Sequence, residues 1–256
     1  MRLAERRSAE GTLWWTLEHQ RRRNAVHPRM LAEIIARCAD LRGEVVVLTG
    51  AGAEAFCAGF DLTALDPATL DASDTAPEAA LIAATEAILH ANATFIAAIN
   101  GYAIGAGVEL ACACDLRVAV PHASFRVPAT RLGVVYHPRG VARIRQVTGE
   151  SIGRRMLLLD ETVDATTLRA AGALDRVVDA GELSGACEEW AKTIRGFPQT
   201  ALRAHRELLR RPAHEGPRAQ NAEGDDERSR RYEQRRNDAY ATIARPRTAR
   251  DPKPQK

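Results

Sequence analysis

The stretch that most limits what this chain can fold into runs from residue 94 to 116. TFIAAI (94–99) is a continuous apolar run of strand length, NGYAIG (100–105) is a glycine-marked turn, and AGVELACACDL (106–116) opens as an apolar helix. A strand apolar on both faces has to be covered on both, as strands of α/β sheets are. A turn that leads straight into a helix sets that helix's free N–H groups beside the strand's end. The same order appears upstream, where EVVVLTG (44–50) leads through a Gly/Ala turn to AFCAGFDL (55–62), and a helix is expected at about 77 to 91. An α/β core is therefore predicted.

The rest of the chain fits this reading. Leu13, Trp15 and Leu17 alternate with Thr12, Trp14 and Thr16, the period of a half-buried strand. Leu31, Ile34, Ile35, Cys38 and Leu41 share one helical face behind Pro28. Residues 62 to 77, rich in Asp, Thr, Ala and Pro, read as a mobile surface loop. DLRVAV and ASFRVP read as strands, SIGRRMLLL and DATTLRAAG as helices, the second closed by Gly172, and LDRVV as a strand. From about 195 the composition turns basic and helical. The expected organisation is a core over 1–194, a helical region over 195–245 and a disordered tail over 246–256.

Composition narrows the function classes. The chain has 256 residues, 45% of them hydrophobic and 27% charged, with a formal net charge of +3, which does not call for nucleic acid. Cysteines at 38, 57, 112, 114 and 187 follow neither zinc nor disulfide spacing, so no metal is expected and a reducing, cytoplasmic compartment is. No apolar run is long enough to span a bilayer.

The chemistry is expected at the two glycine-marked turns. One N–H from each, at Phe60 and Ala106, could converge on a single oxygen as an oxyanion hole. Glu109, the lone acid of an otherwise apolar helix, could then move a proton beside an enolate held there. Tight packing of two Gly/Ala turns, with Glu109 exposed, is the competing reading of the same residues.

The segments RRNAVHPRM, VVVLTGAGAEAFCAGFDL, AAINGYAIGAGVELACACDLRVAV, ASFRVPATRLGVVY and LRAAGALDRVV follow one another over about residues 10 to 180. In order and spacing they resemble the crotonase, or enoyl-CoA hydratase/isomerase, superfamily. That resemblance implies a crotonase (ClpP-like) fold of repeated ββα units, with a C-terminal helical region that assembles trimers or hexamers. It also implies acyl-CoA thioesters as substrates, with coenzyme A as part of the substrate and no separate cofactor. It places the thioester oxygen between the amides of Phe60 and Ala106 and makes Glu109 a catalytic carboxylate. It runs coenzyme A past Arg22, Arg23, Asn24 and Ala25, with Phe60, Asp61, Leu62 and Ala106 lining the path.

The chain departs from the family's efficient hydratases where they carry a second acid. Its segment is PATRLG, with Ala129 at that acid's position, and alanine cannot transfer a proton. The following LGVVYHPRG resembles methylmalonyl-CoA decarboxylase, which makes Tyr136 a candidate site residue, although a histidine often stands there where this chain has Phe60. His137 reads as a surface or loop residue. Three readings follow: an enoyl-CoA hydratase or isomerase with Glu109 as its single carboxylate, a decarboxylase of a malonyl-type thioester using Tyr136, and a catalytically poor acyl-CoA-binding protein. The first is the expectation.

Overall fold

The computed structural model describes residues 1–61, 77–133 and 135–209, and divides the chain into one unit of 1–196 and another of 197–256. Expectations for the 62–76 loop, for Leu62, for a charged helix after residue 209 and for the tail lie outside the described residues. In the second unit the described element is helix α8 (Gln199–Leu209).

In the first unit the long strands are β1 (Arg2–Arg7), β2 (Leu13–Glu18), β3 (Glu44–Gly50), β5 (Ala93–Ile99), β7 (Leu116–Ala119) and the short β10 (Arg176–Val177). They form one sheet in the order β1-β2-β3-β5-β7-β10, parallel throughout except for the antiparallel β1–β2 pair. The short strands β4 (Ala55–Cys57), β6 (Tyr102–Ile104), β8 (Ser124–Arg126) and β9 (Val163–Asp164) form a second sheet in that order. The helices are α1 (Pro28–Asp40), α2 (Pro77–His90), α3 (Ala106–Ala113), α4 (Pro138–Thr148), α5 (Glu150–Leu159), α6 (Ala165–Ala170) and α7 (Leu183–Arg195).

The chain thus repeats a ββα unit: β3-β4-α2, then β5-β6-α3, then β7-β8-α4. In each, the first strand joins the large sheet and the second the small one. All seven residues of β5 are buried, which fits a strand covered on both faces. Trp15, opposite Leu48 of β3, meets Phe95 edge to face with centroids 5.5 Å apart.

Strand β2 is more buried than alternation predicts, because Trp14 and Thr12 are covered as well as Leu13, Trp15 and Leu17. The cause is α7, which packs over β3, β5 and β7. Its Glu188 accepts hydrogen bonds from Trp14 Nε1 and Thr12 Oγ1, both at 2.6 Å.

Two buried asparagines tie down the turn that leaves β3. Asn24 donates to the carbonyls of Ala51 and Ala55, both at 2.8 Å. Asn100, just past β5, donates to the Gly50 and Gly52 carbonyls at 2.9 and 2.7 Å and accepts from the Gly50 N–H at 3.2 Å. This turn feeds β4 and the residues after it, so its rigidity fixes the first half of the site. Asn100→Ala strands those three buried groups and is expected to lower unfolding free energy by about 3 kcal/mol in a denaturant titration. A loss below about 1 kcal/mol would mean that the turn holds without it.

All five cysteines are buried free thiols. No helix among the described residues is long and apolar enough to cross a membrane.

Candidate active site

The site is assembled where the ends of β4 and β6 meet α3. Gly59 and Gly105 turn the chain after these strands with φ of 102° and 53°, angles that side chains rarely adopt. The segment around Arg23 to Val26 lies alongside residues 58 to 61. The Ala58 N–H donates to Arg23 O at 3.0 Å, Val26 N–H to Gly59 O at 2.8 Å, and Asp61 N–H to Val26 O at 2.8 Å. Val26 and Phe60 form an isolated parallel bridge. Such a bridge uses the groups on either side of Phe60, so the Phe60 N–H itself points away from Val26.

Helix α3 begins at Ala106, whose N–H has no carbonyl four residues back within the helix. Gly107 lets this first turn lie directly on β4, since a Cβ there would stand 2.5 Å from the Cys57 carbonyl oxygen. The structure therefore brings the Phe60 turn and the α3 N-terminus side by side.

Glu109 is 4% exposed, so the competing expectation of an exposed acid is overturned. Helix α3 is buried along its whole length, and the carboxylate meets partners from two directions. The Tyr136 hydroxyl faces it. Burial, and then this anionic neighbour, push the Tyr136 hydroxyl well above the usual phenol range, so it stays protonated as a donor. The same hydroxyl lies 3.5 Å from where a Cβ on Gly105 would stand, close to the α3 N-terminus. On the other side, Arg143 Nη1 is 3.6 Å from Glu109 Oε2. At that distance the contact is an ion pair and not a hydrogen bond. Gly140 closes the third side, where a Cβ would fall 2.6 Å from Oε2 and 3.0 Å from Cδ.

Helix α4, which carries Gly140 and Arg143, was not anticipated from the sequence. HPRG reads as loop punctuation, yet His137 is the N-cap, its Nδ1 accepting from the Arg139 N–H at 3.2 Å, and Pro138 takes the first helical position. The available signal was the spacing of the buried face, Gly140, Arg143, Ile144 and Thr148, an amphipathic stripe with one arginine in it.

The remaining expected residues take up different places. Ala25 is buried beside the Phe60 turn, whereas Arg22 and Arg23 are exposed, Arg23 pairing with Glu54 at 3.1 Å. Asp61 is buried, its Oδ2 4.0 Å from His19 Nδ1. Ala129, expected at the place of a second acid, is buried. The thiols nearby are not poised as nucleophiles: burial pushes Cys57 up to about 12 and Cys112 up to about 11.

Known proteins of like sequence and shape identify the family and the fold. The sequence profile of the enoyl-CoA hydratase/isomerase family matches residues 8–239. A carnitinyl-CoA dehydratase of Proteus mirabilis is 37% identical over 166 residues, 65% of this chain but only 63% of that protein's length. A probable enoyl-CoA hydratase, echA6, of Mycobacterium bovis is 33% identical over 78% of this chain and 79% of its own. Among solved structures, DspI of Pseudomonas aeruginosa superposes with a TM-score of 0.77 at 29% identity, over 90% of this chain and 94% of that one. An enoyl-CoA hydratase from Bacillus anthracis does so with a TM-score of 0.74 at 26% identity, over 81% of each chain. The repeated ββα units, the paired glycine turns and a profile match spanning nearly the whole length lead to one assignment: the chain belongs to the enoyl-CoA hydratase/isomerase family.

Proposed function

We propose that the chain is an enzyme that moves a proton at the α-carbon of an acyl-CoA thioester, by hydration/dehydration or double-bond isomerisation, with Glu109 as its single catalytic carboxylate. The observation that carries this reading is Glu109 itself, a buried acid one turn inside α3, faced by the Tyr136 hydroxyl and ion-paired with Arg143. A protein that only bound acyl-CoA would have no use for a desolvated acid there.

In this reading the thioester oxygen accepts from the Phe60 and Ala106 N–H groups, each donor accounting for about 10²–10³-fold in rate. Glu109 takes a proton from Cα of a 3-enoyl thioester, and the electron pair passes onto the thioester oxygen as an enolate. Collapse of the enolate places the double bond between Cα and Cβ while Glu109 returns the proton at Cγ. Dehydration of a 3-hydroxyacyl thioester, the chemistry named for the carnitinyl-CoA relatives, begins with the same abstraction and then needs a donor to the departing hydroxide. Buried Ala129 rules itself out as that donor. Coenzyme A runs past Arg22, Arg23 and Ala25, bordered by Phe60, Asp61 and Ala106, with Leu62 beyond the described residues. Exposed Leu132, Leu158 and Leu159, at the turn and helix end that pack on each other, support self-association as a trimer or hexamer.

The decarboxylase reading has less support. Tyr136 faces Glu109, and a malonyl carboxylate would enter beside that anion. A turnover panel of crotonyl-CoA, a 3-enoyl-CoA and methylmalonyl-CoA, read by mass spectrometry, tests all three. Gain of water or a shifted double bond supports the proposal. Loss of CO2 moves the assignment to decarboxylase, and tight binding without turnover to a binding protein.

A further inference from the structure

One buried charge near the site has no part in the steps above. Arg143 is 8% exposed, and its guanidinium spans two carboxylates on two other helices. Nη2 donates to Glu86 Oε1 of α2 at 3.0 Å, while Nη1 faces Glu109 Oε2 of α3 at 3.6 Å and makes no hydrogen bond. Glu86 in turn holds the exposed His90 at 3.3 Å. A buried guanidinium is costly unless countercharges hold it, and here one of those countercharges is the acid of the site.

We infer that Arg143 is a positioning residue for Glu109: anchored by Glu86, its fixed positive charge keeps the carboxylate ionised and aimed at the α3 N-terminus. The inference rests on Glu109 being the acid that moves the proton. Its resting form is then the base, ready to take a proton from Cα. The groups around the carboxylate decide the sign. Arg143 from α4 favours the anion, and so does the protonated Tyr136 hydroxyl that faces it. Cys112 of the same helix and Cys57 of β4 stay neutral thiols, and Glu86 shares the arginine with Glu109. Burial alone favours the protonated acid. Removing Arg143 takes away a positive charge that favours the anion while the burial remains, so Glu109 should hold its proton to higher pH.

The variants Arg143→Met and Arg143→Lys test this with two readouts. The first is the pH dependence of kcat/KM on whichever thioester the panel identifies. Arg143→Met should move the acid limb up by about one to three pH units and lower kcat near the old midpoint about fivefold for the first unit and about tenfold for each further one. KM should change little, since Arg143 is not placed on the substrate. Arg143→Lys keeps the charge but loses the two-ended fork, so its acid limb should stay near that of the unaltered chain. The second readout needs no turnover. In protein labelled with 13C at glutamate carboxyls, the resonance missing from Glu109→Gln is followed against pH, and its midpoint should rise in Arg143→Met and return in Arg143→Lys.

An unchanged Glu109 midpoint in folded Arg143→Met would overturn the inference. If that variant does not fold, Arg143→Gln takes its place: it removes the charge but keeps a polar head, so the midpoint should rise likewise, and no movement would overturn the inference equally. Absence of turnover by the unaltered chain would sink the functional reading, while the resonance would still decide the role of Arg143.

Discussion

Glu109→Gln is expected to reduce kcat about 10²- to 10⁴-fold, the range that general acid–base groups contribute. Binding of an acyl-CoA should remain within a few-fold. Glutamine keeps the shape and can still accept from Tyr136, so the fold and the two N–H donors at Phe60 and Ala106 are left in place. What disappears is the carboxylate at the start of α3. The effect should therefore fall on kcat, read from steady-state rates, and not on the dissociation constant of a non-reacting acyl-CoA measured by calorimetry. Turnover within a few-fold of the unaltered chain would remove Glu109 from the chemistry.

Gly140→Ala should have the next largest effect, although residue 140 needs to touch no substrate. Its added methyl would lie 2.6 Å from Glu109 Oε2 and 3.2 Å from Oε1, inside van der Waals contact with both oxygens. The carboxylate, the far end of a flexible side chain between Arg143 and the Tyr136 hydroxyl, is the group that must shift. Displacing a reacting group by about 1 Å costs on the order of 10²-fold in rate, so kcat should fall by that factor. The overpacking itself should lower unfolding free energy by about 1–3 kcal/mol. Rate constants and a denaturant titration on the same preparation separate the two effects. Normal kcat would mean that the acid relaxes without penalty.

Much of the fold was legible because strand and helix periods are strong in the first half. TFIAAI, EVVVLTG and the helix behind Pro28 carry patterns that local sequence alone can satisfy. Trp14 was misplaced because its cover comes from α7, a helix far along the chain whose packing no local pattern around residue 14 reports. In the site, the two turns and Glu109 were visible as glycines and a lone acid in an apolar run. Arg143 was not, for a physical reason. A buried arginine looks in sequence like any surface arginine, and what distinguishes it is the pair of carboxylates that two other helices bring to it. Gly140 was hidden in the same way: the reason for its missing side chain stands on α3, about thirty residues earlier in the chain.

The burial of every cysteine gives the folded molecule a chemical silence that can be used. Thiols held up to about 12 at Cys38, Cys57 and Cys187 have almost no thiolate to offer an alkylating reagent. Opening restores an ordinary thiol, so the speed at which each site takes up label clocks how often that part of the molecule breathes. Cys57 lies under the site, Cys38 on α1 and Cys187 on α7, three positions from which the same chain can report its own local unfolding without an added probe.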